Sequence, residues 1–362
     1  MDHFVELRWS DGTRFKAYEL WLYENVPGSG FDVGVREGLI DPTTLPKLGM
    51  LKNATVDEEG ALLLRWVSAS SEPVKVHPGW LHYVAQDQLS PAFNIPSQTQ
   101  WSAETFSAPP TLSGADILQD EGVQKSWLRL LAEFGLCRLK DTPADEMFLQ
   151  QLIETVGPIR ASNFGGMFRV QTIPNPDSTA NTGLQLGQHT DLPTRETPPG
   201  FQFLHCVQNT VAGGHSRMTD GMAVVQALQA EQPRAYDVLT TAPWYFMNRS
   251  DEAEHRWCGP IIELPQAGRP LTLRAFYPVR SAPAMPSSQI PAAYAALRVF
   301  SEYAHDPRFQ IVYPFQPGDL IGFDNRRVLH GRDAFDSQGE RFLMGCYIDH
   351  DEIYSRLRVL SR

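Results

Sequence analysis

Cysteine is scarce in this chain. The 362 residues hold four, Cys137, Cys206, Cys258 and Cys346, far apart and with no C-x-x-C pair. That excludes a disulfide framework and a cysteine-built zinc site, and it points to a reducing compartment. Positive charge is in deficit as well. Asp and Glu number 42 against 31 Lys and Arg, a net charge of −11. A nucleic-acid or anionic-membrane partner is therefore not expected. No apolar run reaches membrane-spanning length, and the opening MDHFVELRWSDG lacks the apolar stretch of a signal peptide. The expectation is a soluble, cytoplasmic protein. Internal repeats and low-complexity tracts are also missing.

What is present is a chain with 42% hydrophobic residues, 28 prolines and 27 glycines. That is ample for a core, and it suits a turn-rich β architecture more than a helical bundle. Two apolar-alternating runs flank Asp11-Gly12, a strong hairpin signal, and the second continues into a strand through Leu20-Trp21-Leu22. Ala61 to Val67 and Val74 to Val76 add strands, so residues 1–95 form a small β-rich domain. Residues 96–114, rich in Pro, Ser and Thr, read as a surface linker. Residues 115–362 form a larger domain. Its helices are predicted at 115–134, stopped by Gly135, at 144–156, at 221–230 capped by Asp220, and at 233–239. Strands are predicted at 136–139, 201–208, 261–264, 271–276, 309–313, 319–323 and 342–348. Many short strands with helices outside them point to a mostly β, α+β fold of sandwich or jelly-roll type.

The chemistry gathers at His189-Thr190-Asp191. On a strand, residues two apart face the same side, so this run offers two metal ligands at once. A third arrives with His330, at the polar exit of the buried run LIGFDNRRVLHGR. Two His and one carboxylate with the remaining positions open form the facial triad of non-heme Fe(II) oxygenases. A 2-oxoacid cosubstrate would further need a cation for its far carboxylate. Arg341 is the first candidate, with Arg332, Arg326 and Arg327 as alternatives. Ser216, after Gly213-Gly214, could add a hydroxyl. His205 reads as a hydrogen-bonded core histidine, His215 as a loop residue, and His350-Asp351 as structural.

Four blocks, HTDLPTRETPPGFQFLHC, TVAGGHSRMTDG, PGDLIGFDNRRVLHGR and RFLMGCYIDHDEIYSRLRVL, resemble the γ-butyrobetaine hydroxylase branch of the TauD/TfdA-like dioxygenases. ELRWSDGTRFKAYELWL resembles that branch's N-terminal domain. The resemblance implies a double-stranded β-helix (jelly-roll) catalytic domain, Fe(II), 2-oxoglutarate and O2. It implies hydroxylation coupled to decarboxylation of 2-oxoglutarate to succinate and CO2. Carried over, His189, Asp191 and His330 hold iron, Arg341 takes the 2-oxoglutarate C5 carboxylate, and Ser216 assists it. A homodimer is expected by the same analogy.

Two departures from the family stand out. Its N-terminal zinc cysteines are missing from YENVPGSGFDVG, which leaves His77 as a lone candidate, so no structural zinc is expected. The aromatic cage for a trimethylammonium group maps to Phe164, Phe168, Asn181 and Tyr347, with Asn181 in place of an aromatic. For the substrate's anionic tail, the matching run RAFYPVRSAP offers Tyr277, Arg274 and Arg280. The expected substrate is a small quaternary-ammonium metabolite with a carboxylate or phosphonate tail. A different small zwitterion or amino-acid derivative is the alternative, and a non-catalytic 2-oxoglutarate sensor the remaining one.

Overall fold

The computed structural model describes all residues except 1–2, 28, 46, 48–49, 68–71, 173–178, 267–269 and 337. It divides into two compact units, Met1–Phe93 and Asn94–Arg362.

In the first unit the expected hairpin forms between Phe4–Arg8 and Arg14–Tyr18. Gly12, at φ 89°, takes the left-handed turn position that glycine tolerates. The strand predicted through Leu20-Trp21-Leu22 is corrected: Glu19–Asn25 is a helix. Leu22 and Val26, one helical turn apart, are both fully buried, and Trp21 stacks on Trp80 with ring centroids 5.4 Å apart. A three-stranded sheet of Leu51–Val56, Leu62–Trp66 and Val74–Val76 completes the core with Leu64, Trp66 and Leu81. His77 caps the helix Pro78–Ala85, its Nδ1 accepting from Gly79 N at 3.0 Å.

The second unit is built on mixed sheets with helices packed against them. A six-stranded sheet runs Met167–Gln171, Arg341–Ile348, Phe201–Asn209, Leu320–Asp324, Leu136–Lys140 and Thr111–Ser113. A four-stranded antiparallel sheet runs Leu186–His189, Val328–Arg332, Ser216–Asp220 and Gln310–Tyr313. Apolar residues of the helices Glu121–Phe134, Phe148–Glu154 and His350–Val359 pack on the six-stranded sheet. Trp244–Arg249 lies between Glu254–Gly259 and Arg280–Pro283 in a third sheet, alongside the helices Gly221–Glu231, Pro233–Thr241 and Ile290–Ala304. Among the described residues no helix is long and apolar enough to cross a membrane.

Some boundaries move for identifiable reasons. The helix predicted from 115 starts at Glu121, because the Asp120 carboxylate accepts from Gly122 N and Val123 N. It ends at Gly135, φ 66°. The helix predicted over 144–156 is only Phe148–Glu154. The stretch 96–114, expected as a linker, carries fixed contacts. Trp101 is fully buried, its backbone N donates to Asp220 at 2.9 Å, and its ring N donates to Phe134 O at 2.8 Å. Asp220 also caps the helix Gly221–Glu231 and pairs with the buried Arg327 at 2.9 Å.

Candidate active site

His189 and His330 sit opposite each other on adjacent strands of the four-stranded sheet, ring centroids 4.0 Å apart. The strand that carries His189 stops there, so Asp191 is not placed by strand alternation as expected. It lies in the bend beyond, held by a residue the sequence reading passed over. Asn325 Oδ1 accepts from Asp191 N at 2.7 Å, and its Nδ2 donates to Asp191 O at 3.0 Å. The turn continues through Leu192 at φ 51°, a left-handed conformation uncommon for a side chain of its size.

The result is a compact donor set. Asp191 Oδ1 lies 3.3 Å from His189 Nε2 and 3.8 Å from His330 Nε2. Ligands at right angles on bonds of about 2.1 Å stand about 3 Å apart, so a divalent ion fits with small adjustments. The tautomer agrees. His189 Nδ1 lies 2.9 Å from the Gly187 carbonyl, which can only accept, so Nδ1 carries the proton and Nε2 keeps its lone pair. Burial, then the neighbouring His189, pushes His330 down to about 3, so its imidazole is neutral. Burial works against ionisation of Asp191, but the hydrogen bond from the Tyr347 hydroxyl is among the effects that outweigh it and hold the carboxyl below its usual range. A neutral His330 imidazole beside an ionised carboxylate suits metal binding.

This cluster lies in the wall of a cavity of about 670 Å³, which also holds Arg341 and Ser216. Arg341 is buried, yet no hydrogen bond or ion pair joins its guanidinium to any described residue, and its Nε has no partner. Its guanidinium lies 5.6 Å from the Phe335 ring. The alternative arginines are all committed. Arg332 donates to the carbonyls of Leu184, Ala180 and Thr182. Arg326 reaches the Pro198 carbonyl at 2.9 Å, and Arg327 is bound to Asp220. His205 is a core residue whose Nε2 meets Thr142 Oγ1 at 3.1 Å, and His215 is exposed.

Phe164, Phe168, Asn181 and Tyr347 line the same cavity. The rings form a run, with centroids 6.3 Å apart from Phe164 to Phe168 and 5.0 Å from Phe168 to Tyr347. Phe168 sits opposite Gly345 on the neighbouring strand, where a β-carbon would collide with its ring. Burial and the Asp191 charge raise the Tyr347 phenol, so it keeps its proton. Tyr277, Arg274 and Arg280 are corrected: none lines this cavity. Arg274 is consumed by Glu263 at 2.5 Å and by the carbonyls of Pro193, Arg195 and Glu196. Tyr277 and Arg280 border a second cavity. The hairpin residues Asn248, Arg249 and Ser250 line the main cavity instead, and no spacing rule in the sequence pointed to them.

Residues 95–347 match the family model "Taurine catabolism dioxygenase TauD, TfdA family". The chain is 36% identical to the γ-butyrobetaine dioxygenase of Pseudomonas sp. strain AK-1, over 99% of this chain and 94% of that protein. It is 27% identical to the γ-butyrobetaine dioxygenase of Homo sapiens, over 99% of this chain and 95% of that protein. Among solved structures, AAD-2 in complex with Mn(II) and N-oxalylglycine superposes with a TM-score of 0.55 at 19% identity. It covers 70% of this chain and 97% of that one, a likeness of fold. The chain belongs to the TauD/TfdA family of dioxygenases and, within it, to the γ-butyrobetaine dioxygenase branch.

Proposed function

We propose that this chain is an Fe(II)- and 2-oxoglutarate-dependent hydroxylase of a small quaternary-ammonium metabolite with an anionic tail. The observation that carries the reading is one cavity holding both the His189, Asp191 and His330 donor set and the unpaired, buried Arg341 guanidinium. A buried cation without a partner is costly, and a carboxylate in reach offsets that cost. The 2-oxoglutarate C5 carboxylate takes this place, with Ser216 beside it on the cavity wall. When bound, iron, 2-oxoglutarate and O2 would supply oxidative decarboxylation to succinate and CO2, with one oxygen atom going to succinate and the other inserted into a C–H bond to give C–OH.

The protein positions the reactants and excludes water. His189 is oriented by the Gly187 carbonyl, and Asp191 by Asn325 and Tyr347. Phe164, Phe168 and Tyr347 present ring faces to the ammonium group, and Asn181 forms the weaker wall. Of the arginines lining the cavity, Arg169 is paired with Glu146 at 2.7 Å and Arg332 is committed to carbonyls. Arg249, mostly exposed and held to Glu254 by a looser pair at 3.9 Å, is the cation assigned to the tail. The curated relatives' γ-butyrobetaine supports a carboxylate as that tail. The two main sheets of the second unit are read as the halves of a jelly roll, and the assembly as a homodimer.

The test is anaerobic addition of Fe(II) and 2-oxoglutarate, followed by the visible charge-transfer band of the chelate. γ-Butyrobetaine, trimethyllysine, 2-(trimethylammonio)ethylphosphonate and their desmethyl analogues are then titrated in. A band that shifts with one quaternary compound and not with its desmethyl analogue supports the reading. A band that ignores every ammonium compound removes the cage. No band, with iron bound, removes Arg341 from its role.

A further inference from the structure

The residues that the sequence offered for an anionic tail do lie together, but against a different cavity. It measures about 330 Å³, inside the usual range of about 300–1,000 Å³ for small-ligand sites. Its position is set by the strand that carries the metal histidine. His189 faces the main cavity, while Gly187 and Gln188, just before it, line the second. Phe276 belongs to both walls, its ring 4.9 Å from that of His189.

The lining has a definite chemical character. No Asp or Glu is among its described residues, although the chain carries a net charge of −11. Arg274 is already neutralised by Glu263 and saturated by carbonyls. Arg280 is not: no hydrogen bond or ion pair joins its guanidinium to any described residue, and only its backbone is bonded, the N–H donating to the Tyr277 carbonyl. Its guanidinium lies 5.2 Å above the Trp244 ring, which fixes the plane of the fork without using its N–H groups. Phe246, Ile261, Leu297 and Phe300 supply an apolar wall, and Tyr277 a hydroxyl at the rim. An unpaired, half-buried guanidinium beside an apolar wall suits a carboxylate on a compact apolar body. The carboxylate gains two charge-assisted hydrogen bonds and the body leaves water.

We propose that this cavity is a second ligand site, for a small monocarboxylate with an apolar body, held through Arg280. The site is independent of the substrate assignment above, because Arg280 does not line the main cavity and Phe276 is the one residue among those described that lines both.

The experiment is calorimetric titration of the full chain with phenylacetate, alone and with saturating 2-oxoglutarate. 2-Phenylethanol serves as the neutral control. Phenylacetate should bind one to one, at least about tenfold more tightly than the alcohol, with or without 2-oxoglutarate. Arg280→Gln should weaken it at least about tenfold, while Arg341→Gln leaves it within about twofold. If circular dichroism shows that Arg280→Gln does not fold, Leu297→Trp, which fills the cavity from the helix, must abolish binding instead. Absence of saturable binding, equal affinity in Arg280→Gln, retained binding in Leu297→Trp, or displacement by 2-oxoglutarate would each overturn the proposal. Loss in Arg341→Gln alone would place phenylacetate in the main cavity and also overturn it.

Discussion

The Tyr347 hydroxyl donates to Asp191 Oδ2 at 2.8 Å. One side chain thus serves two purposes, since its ring lies beside Phe168 in the proposed cage while its oxygen fixes the carboxylate of the donor set. In the proposed function, ligand recognition and metal holding would meet at a single phenol.

Tyr347→Phe separates the two. The ring stays and the hydrogen bond goes. Loss of an outer partner of a metal ligand typically costs about 10–100-fold in affinity. The dissociation constant for Fe(II), measured anaerobically, should rise by that factor, while KM for the ammonium substrate changes by less than about threefold. Unchanged iron affinity would mean that Asn325 alone orients Asp191.

Arg341 and Arg332 should part company. Arg341→Gln removes a charge-assisted pair worth about 1.5–3 kcal/mol, so KM for 2-oxoglutarate should rise about 10–150-fold with little loss of stability. Arg332→Gln releases the carbonyls of Ala180, Thr182 and Leu184. It should lower the unfolding midpoint before it alters KM. Succinate release and thermal unfolding on both variants decide the matter, and equal KM effects would count against the assignment.

Phe168→Leu keeps an apolar wall but removes a π face. A cation–π contact in a desolvated site is worth up to about 2 kcal/mol. KM for the quaternary substrate should rise about 3–30-fold relative to an uncharged isostere. A uniform rise for both compounds would show that Phe168 only fills space.

The buried Asp220 and Arg327 pair should be structural. Asp220 also caps a helix and accepts from Trp101 N. Breaking one partner of a buried pair typically costs about 3–5 kcal/mol. Urea unfolding of Asp220→Ala should show a loss of that size, and a loss below about 1 kcal/mol would contradict the role given to this pair.

Burial pushes His205 from 6.5 down to about 4. Between those values the unfolded chain takes up a proton that the folded chain refuses. The stability tied to this residue is complete above pH 6.5 and is lost as pH falls to about 4. His205→Gln, measured by urea unfolding from pH 7 to pH 4.5, should flatten that part of the curve. An unchanged slope would assign the acid sensitivity elsewhere.

The donor set was legible in the sequence because its chemistry is local: His189 and Asp191 are two residues apart, and His330 closes an unbroken buried run. Arg341 was a candidate from the sequence as well, and packing adds only that the alternative Arg332 is spent on carbonyls. Alternation was the wrong reason for the right neighbour at Asp191, where the Asn325 carboxamide does the placing. The N-terminal Leu20-Trp21-Leu22 misled because three apolar residues carry no period, and the helix shows only when Leu22 is taken with Val26. Arg280 and Tyr277 were picked for their chemistry, which sequence reports, and misplaced by their geometry, which sequence does not.

Gly345 bears on how the pocket can change over time. Phe168 rests in the space left by its missing side chain. A single methyl group there would evict the ring from behind, without altering any residue that faces the substrate. With Phe168 in the proposed cage, the substrate scope of this chain would then depend on a position that does not itself line the cavity. Directed evolution toward bulkier ammonium compounds then has a second handle, on the strand of Tyr347 and opposite Phe168.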